Sequence, residues 1–265
     1  MPQISLNHGS AAVVLALCEI YKGGAMNVVE HYRALIENTN TILAKMVGVN
    51  GASEALTASH NYLLDYDAIK LAIADRPELP VLDSAVKEYQ LALFALISGQ
   101  YRHAFGGLRL FFELMLATVQ FSAHEIEYRM WAKDSKDITW SALKDPQIGV
   151  FSTNFIRAFN PEFSDSAKQY LAIAEAVYRE CSEFVHGNAG THTILPSDMV
   201  FQEEVFFSWH QKAATMRLAI IFVFSARYIN YVPKEAKARL EPIIMDALGT
   251  LPAVQAIFSQ SSGAC

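Results

Sequence analysis

Apolar residues recur at every third or fourth position through nearly the whole chain, in segments long enough for several helical turns. That spacing restricts the fold more than any other feature. It gathers apolar side chains on one stripe of a helix but would scatter them over both faces of a strand. The segments are separated by glycines, prolines and charged stretches. An all-α multi-helix bundle is the expected fold class.

Helices are predicted over 11–21, 26–47 and 53–73, punctuated by Gly23-Gly24 and by residues 48–51. Arg76-Pro77-Glu78-Leu79-Pro80 is the clearest break, because two prolines cannot continue a helix. It divides N-terminal helices (1–76) from a main body (81–265), unless the whole of 1–265 folds as one domain. Asp83 is expected to cap a helix reaching Ile97, and a long central helix to run over 101–131. A broken, charged segment covers 133–145, and a short helix follows to Phe159. Ser164 is read as the cap of a helix ending at His186, before Gly187-Asn188. Residues 190–196 read as a loop. Long C-terminal helices are expected over 199–231 and from Pro233 to Leu248, then a frayed tail over 259–265. A small hairpin within 191–195 and 199–207 is the one competing reading. The 199–231 helix, rich in Phe and Ile, suits an oligomer interface as well as a core.

Composition narrows the function classes. Hydrophobic residues make up 52% and charged residues 18%, enough for a large core and unlike a disordered chain. The net charge of -6 lacks the basic footprint of sequence-independent nucleic-acid binding, although a local basic cleft can coexist with an acidic exterior. Cys18, Cys181 and Cys265 fit neither a zinc motif nor a simple disulfide framework, so free thiols in a reducing cytoplasm are expected. No Lys or Arg precedes the apolar run 11–18, as a secretory leader would require. The strongest apolar window, 218–224, is far shorter than the ~20 residues of a membrane span. No membrane association, metal or cofactor is expected: the chain has no His-Glu-x-x-His, and Arg102-His103 before Gly106-Gly107 is not a phosphate loop.

One interval carries chemistry: Tyr178-Arg179-Glu180-Cys181-Ser182-Glu183-Phe184-Val185-His186-Gly187-Asn188. Arg179 and His186 are seven apart, which returns a helix to within roughly 20° of its starting direction. Ser182 lies between them and Glu175 extends the stripe backwards. Tyr170, Ile173, Ala174, Val177, Cys181 and Phe184 form the opposite, apolar face. The carboxyl end of a helix attracts cations, which suits His186. A guanidinium and an imidazole side by side can hold a phosphate and move protons near neutral pH. Such a pair could cleave RNA without metal, the RNA's own 2′-hydroxyl attacking while the protein supplies charge and proton transfer. The competing reading is a solvated polar face ending in a helix terminator. Glu180, beside the arginine, is expected to lower the local positive potential. Arg109 and Glu113, an i,i+4 pair in an apolar helix, read either as a core ion pair or as groups approaching the His186 helix and orienting the site.

Arg179, six intervening residues and His186 resemble the Arg-x4-6-His signature of the HEPN superfamily of small helical domains. The string Tyr178-Arg179-x-x-Ser182-x-Phe184-Val185-His186-Gly187 is similar to a recurring motif of bacterial helical proteins, some of them HEPN-like. So is the upstream helix Leu108-Arg109-Leu110-Phe111-Phe112-Glu113-Leu114, with Trp131 to Asp137 as the intervening charged segment. The resemblance covers roughly residues 85 to 190. It implies a HEPN-like core and a metal-independent endoribonuclease of bacterial defence or toxin–antitoxin systems. It further implies an RNA substrate and a homodimer in which two Arg/His stripes meet in one cleft. On this reading Arg179 binds the scissile phosphate, His186 handles protons, Ser182 hydrogen-bonds, and Glu113, Arg109 and Asn188 support them. The alternative is a non-catalytic helical interaction module that oligomerises or binds a partner protein encoded in the same operon.

Overall fold

The computed structural model describes residues 27–186, 189–196 and 198–259, and every regular element among them is a helix. In chain order these are α1 (Val28–Val47), α2 (Ala52–Ala72), α3 (Leu79–Ile97), α4 (Tyr101–Phe121), α5 (Glu125–Trp131), α6 (Trp140–Leu143) and α7 (Thr153–Phe159). A 3-10 turn (Pro161–Ser166) leads into α8 (Ala167–His186), followed by α9 (Ala189–Ile194), α10 (Glu203–Tyr228), α11 (Lys234–Leu248) and α12 (Pro252–Ser259). The expected helix over 11–21, the tail from 260 onward, Gly187 and Asn188 lie outside the described residues.

Several boundaries differ from the sequence expectation, each for a local reason. Asp83 does not cap α3. The helix begins at Leu79 with Pro80 in its first turn, where a missing N–H costs nothing. The expected helix over 101–131 is two helices, broken at residues 122–124. The Ser122 carbonyl accepts hydrogen bonds from Arg76 Nη2 and Arg227 Nη2, both at 3.2 Å, instead of continuing the helical ladder. Ser164 lies inside the 3-10 turn, its hydroxyl donating to the Pro161 carbonyl at 2.6 Å, and α8 starts only at Ala167. Residues 190–196 are not a loop throughout, since α9 occupies most of them, and no strand pair forms among the described residues. The chain also adds α12 beyond the expected last helix.

Two helices form the centre. Residues 114–121 of α4 and 219–228 of α10 are buried without interruption, so these helices are covered on all sides rather than along one stripe. α4 packs on α3, α8 and α10; α10 packs on α4, α8, α2 and α11. α10 is therefore core and not an open interface. α4 is long and apolar enough to cross a membrane, but 72% of its apolar window is buried inside the fold. One continuous apolar cluster extends from Met46 to Phe258. Arg227, buried within α10, is held by Ser122, its Nε donating to the hydroxyl at 2.7 Å, and its guanidinium lies 4.1 Å from the Phe159 ring. Nearby, the buried Glu78 accepts hydrogen bonds from Tyr228 at 2.7 Å and Arg76 at 3.0 Å. The segment 76–78, proline-marked in sequence, is thus bound to the ends of both central helices.

Gly99 turns α3 into α4. Its N–H donates to Leu96 and that of Gln100 to Ala95, the paired bonds of a Schellman ending, with Gly99 at φ 74°. A Cβ there would stand 2.9 Å from Ile42 Cδ1 of α1. Gly99→Ala combines a left-handed penalty with that overlap and is expected to destabilise the fold by about 1–2 kcal/mol. Chemical denaturation checks this, and an unchanged midpoint would contradict it.

Candidate functional site

α8 forms because its apolar residues repeat at helical spacing and bury against α4 and α10. Ala174, Val177, Cys181 and Phe184 point inward, while Arg179 and His186 are exposed. Phe184 stacks on Phe105 of α4, with centroids 3.9 Å apart and planes 6° apart, which fixes the rotation of α8. The Arg179–Ser182–His186 stripe is thereby turned out along one groove of about 620 Å³. Arg109 of α4, Trp140 of α6 and Lys144 just beyond it complete the walls. Across seven residues the stripe spans roughly 10 Å, comparable to a short stretch of phosphodiester backbone.

The far wall is organised by Tyr178. Arg109 Nη2 donates to the Tyr178 hydroxyl at 2.6 Å, and that hydroxyl donates to Glu113 Oε1 at 2.7 Å. Arg109 lies 3.4 Å from the same Glu113 oxygen. Burial, followed by the Glu113 hydrogen bond and charge, pushes the Tyr178 hydroxyl up to about 12, so it stays a neutral donor near pH 7. The Tyr178 ring stacks on Trp140 at 4.0 Å and 7°, which pins α6 to α8. Arg109 and Glu113 thus reach α8 at Tyr178, one residue before Arg179 and two turns from His186. Arg109 lines the groove with its Nε buried and unpartnered among the described residues, and Glu113 stands behind Tyr178.

Among the described residues neither Arg179 nor His186 has a hydrogen-bond or ion-pair partner, and both side chains line the groove. Ser182 faces the groove, but its hydroxyl proton is donated to the Tyr178 carbonyl at 2.8 Å, leaving its oxygen as an acceptor. Glu180 does not oppose Arg179. It points to the other side of α8 and pairs with Lys212 of α10 at 2.7 Å. Lys144 pairs with Glu175 at 2.8 Å. Arg102 Nη1 donates to the Phe184 carbonyl at 2.7 Å, satisfying an end carbonyl of α8 and adding positive charge near His186. Asn188 lies outside the described residues. The roles of Tyr178, Trp140, Lys144 and Arg102 were not legible beforehand. Tyr178 stands inside the recognised string and Trp140 inside the charged segment, yet their partners are on other helices.

Glu125 pairs with Arg129 and Glu127 with Lys136, and no metal-capable cluster of three occurs among the described residues. Cys181 is buried, and burial pushes its thiol up to about 12, so it stays a neutral thiol within the apolar face of α8. What the groove brings together is two guanidiniums, an imidazole, and an ammonium already paired with the Glu175 carboxylate, beside a stacked aromatic pair. That set suits an anionic ligand with a flat substituent. In comparison with known proteins, no family model, no curated sequence and no solved structure matches the chain.

Proposed function

We propose that the chain is a HEPN-like, metal-independent endoribonuclease acting at the Arg179–His186 groove, of the kind used in bacterial defence and toxin–antitoxin systems. The observation that carries this reading is the exposure of both groups, unpartnered among the described residues, on one open groove. Arg179, with Arg109 behind it, holds the scissile phosphate and the charge that develops on its oxygens. His186 takes the proton from the attacking 2′-hydroxyl or returns one to the leaving 5′-oxygen. Ser182 accepts a hydrogen bond from the ribose. The strand breaks by internal attack, so the products carry a 2′,3′-cyclic phosphate and a free 5′-hydroxyl.

The test is cleavage of single-stranded RNA by the purified chain in EDTA. Cleavage with cyclic-phosphate ends is expected, and 2′-O-methyl RNA of the same sequence should stay intact. Equal cleavage of both polymers, or none of either, would remove the proposal. The competing reading, a non-catalytic module that binds a partner protein, is favoured by one observation only: an exposed apolar stripe on α1.

A further inference from the structure

We infer that the groove holds a second nucleotide subsite at the end away from His186, where Lys144 takes the phosphate next to the scissile one and Trp140 stacks that nucleotide's base. The inference rests on reading the groove as an RNA site and adds what the neighbouring nucleotide must offer. Thr139 starts α6, its hydroxyl accepting a hydrogen bond from the Ala142 N–H at 3.3 Å. That single turn puts Trp140 and Lys144, four residues apart, on one side of the segment. Both line the groove. The Trp140 indole is half-buried: Tyr178 stacks on it at 4.0 Å and Phe112 lies tilted at 6.1 Å, while the remainder stays exposed. Tyr178 immediately precedes Arg179, so the indole is anchored beside the group that holds the scissile phosphate. An aromatic surface beside an ammonium matches the base and the phosphate of one nucleotide.

The position along α8 fits a strand. Lys144 Nζ lies 2.8 Å from Glu175, which precedes Arg179 by four residues, or about 6 Å of helix rise. That is close to the step between successive phosphates of a single strand. Ala172 and Ala176 are exposed and line the groove here, and side chains this short leave a strand room to approach α8. Among the described residues that line the groove, Glu175 is the one acid. It orients Lys144 and competes with an incoming phosphate for it. The Lys144 and Glu175 side chains are 39% and 43% exposed, so their pair is weak enough to exchange partners. A bare phosphate gains little by displacing the carboxylate, whereas a nucleotide that also stacks on Trp140 gains more. The subsite therefore selects an unpaired nucleotide, base and phosphate together.

The experiment is binding of a fluorescent 2′-O-methyl oligouridylate to the full chain, followed by anisotropy over a range of salt concentrations. Internal attack cannot cut this backbone, so binding is read apart from cleavage. An abasic oligomer of the same length and charge supplies the phosphates without the bases. Wild type should prefer the uridylate at least about 5-fold, Trp140→Leu should lose that preference, and Trp140→Phe should keep most of it. Lys144→Gln should reduce the slope of log affinity against log salt by about 0.7, the share of one phosphate contact on a single strand. Trp140→Leu should keep the wild-type slope, which shows that Lys144 is still in place. Glu175→Gln, which releases Lys144, should bind the uridylate several-fold more tightly. The subsite is overturned if wild type binds both oligomers equally, or if Lys144→Gln keeps the wild-type slope. In either case a loss of binding in Arg179→Ala would still support the groove as an RNA site. Failure of wild type to bind either oligomer overturns both readings.

Discussion

His186→Ala and Arg179→Ala should each lower RNA cleavage by at least ~100-fold, the lower range for removing a positioned proton-transfer group or a charge that stabilises the phosphoryl oxygens. Stability should barely move. Both side chains are exposed and have no partner among the described residues, and surface substitutions of that kind change stability within about 0.5 kcal/mol. The two readouts together separate chemistry from folding. Glu180→Ala is the internal control: it sits between the two groups in sequence but faces Lys212 on the opposite side of α8. It should lose only a half-exposed ion pair and leave cleavage unchanged. If His186→Ala and Arg179→Ala cleave at the wild-type rate, the stripe is a solvated face and any activity lies elsewhere.

Acid should weaken the fold through one histidine remote from the groove. His210 is buried on α10, its Nδ1 sharing a hydrogen bond of 2.7 Å with Ser59 of α2, and its Nε2 has no partner among the described residues. The Phe206 and Trp209 rings form T-shaped pairs with it, at 4.4 and 5.3 Å between centroids. Burial lowers its pKa from 6.5 to about 4. Between those values the unfolded chain takes up a proton that the folded chain refuses, so stability rises with pH there. The contribution is complete above pH 6.5 and is lost as pH falls toward 4, by about 3 kcal/mol in all. His210→Asn removes the titrating group. Its destabilisation at pH 7.5 should therefore shrink by about 2–3 kcal/mol at pH 4.5, measured by urea denaturation of both proteins at both pH values. Comparing wild type with variant cancels the carboxylates that titrate in the same range. A difference between the two proteins that does not change with pH would rule out a buried, neutral His210.

The amino-acid order was sufficient for the helices, because the signals for them are local. The apolar rhythm of 167–186 and of 203–228, and the glycine at 99, act within a few residues along the chain. The same locality made the Arg179–His186 stripe legible, since seven residues of helix set two side chains on one face whatever surrounds them. Tertiary structure decided everything that needs a second element. The Ser122 carbonyl breaks the expected 101–131 helix only because Arg76 and Arg227 arrive from distant positions. Arg109 and Glu113 serve α8 through Tyr178, which no spacing along the chain indicates. Glu180 finds its partner in Lys212, a choice made by the packing of α10 on α8. Whether the stripe opens on a groove or lies under packed atoms was fixed by the rotation of α8, locked where Phe184 stacks on Phe105. The physical reason is range: backbone hydrogen bonding and side-chain periodicity are settled within one or two turns, whereas burial, ion-pair choice and cavity shape depend on contacts between residues tens to more than a hundred positions apart.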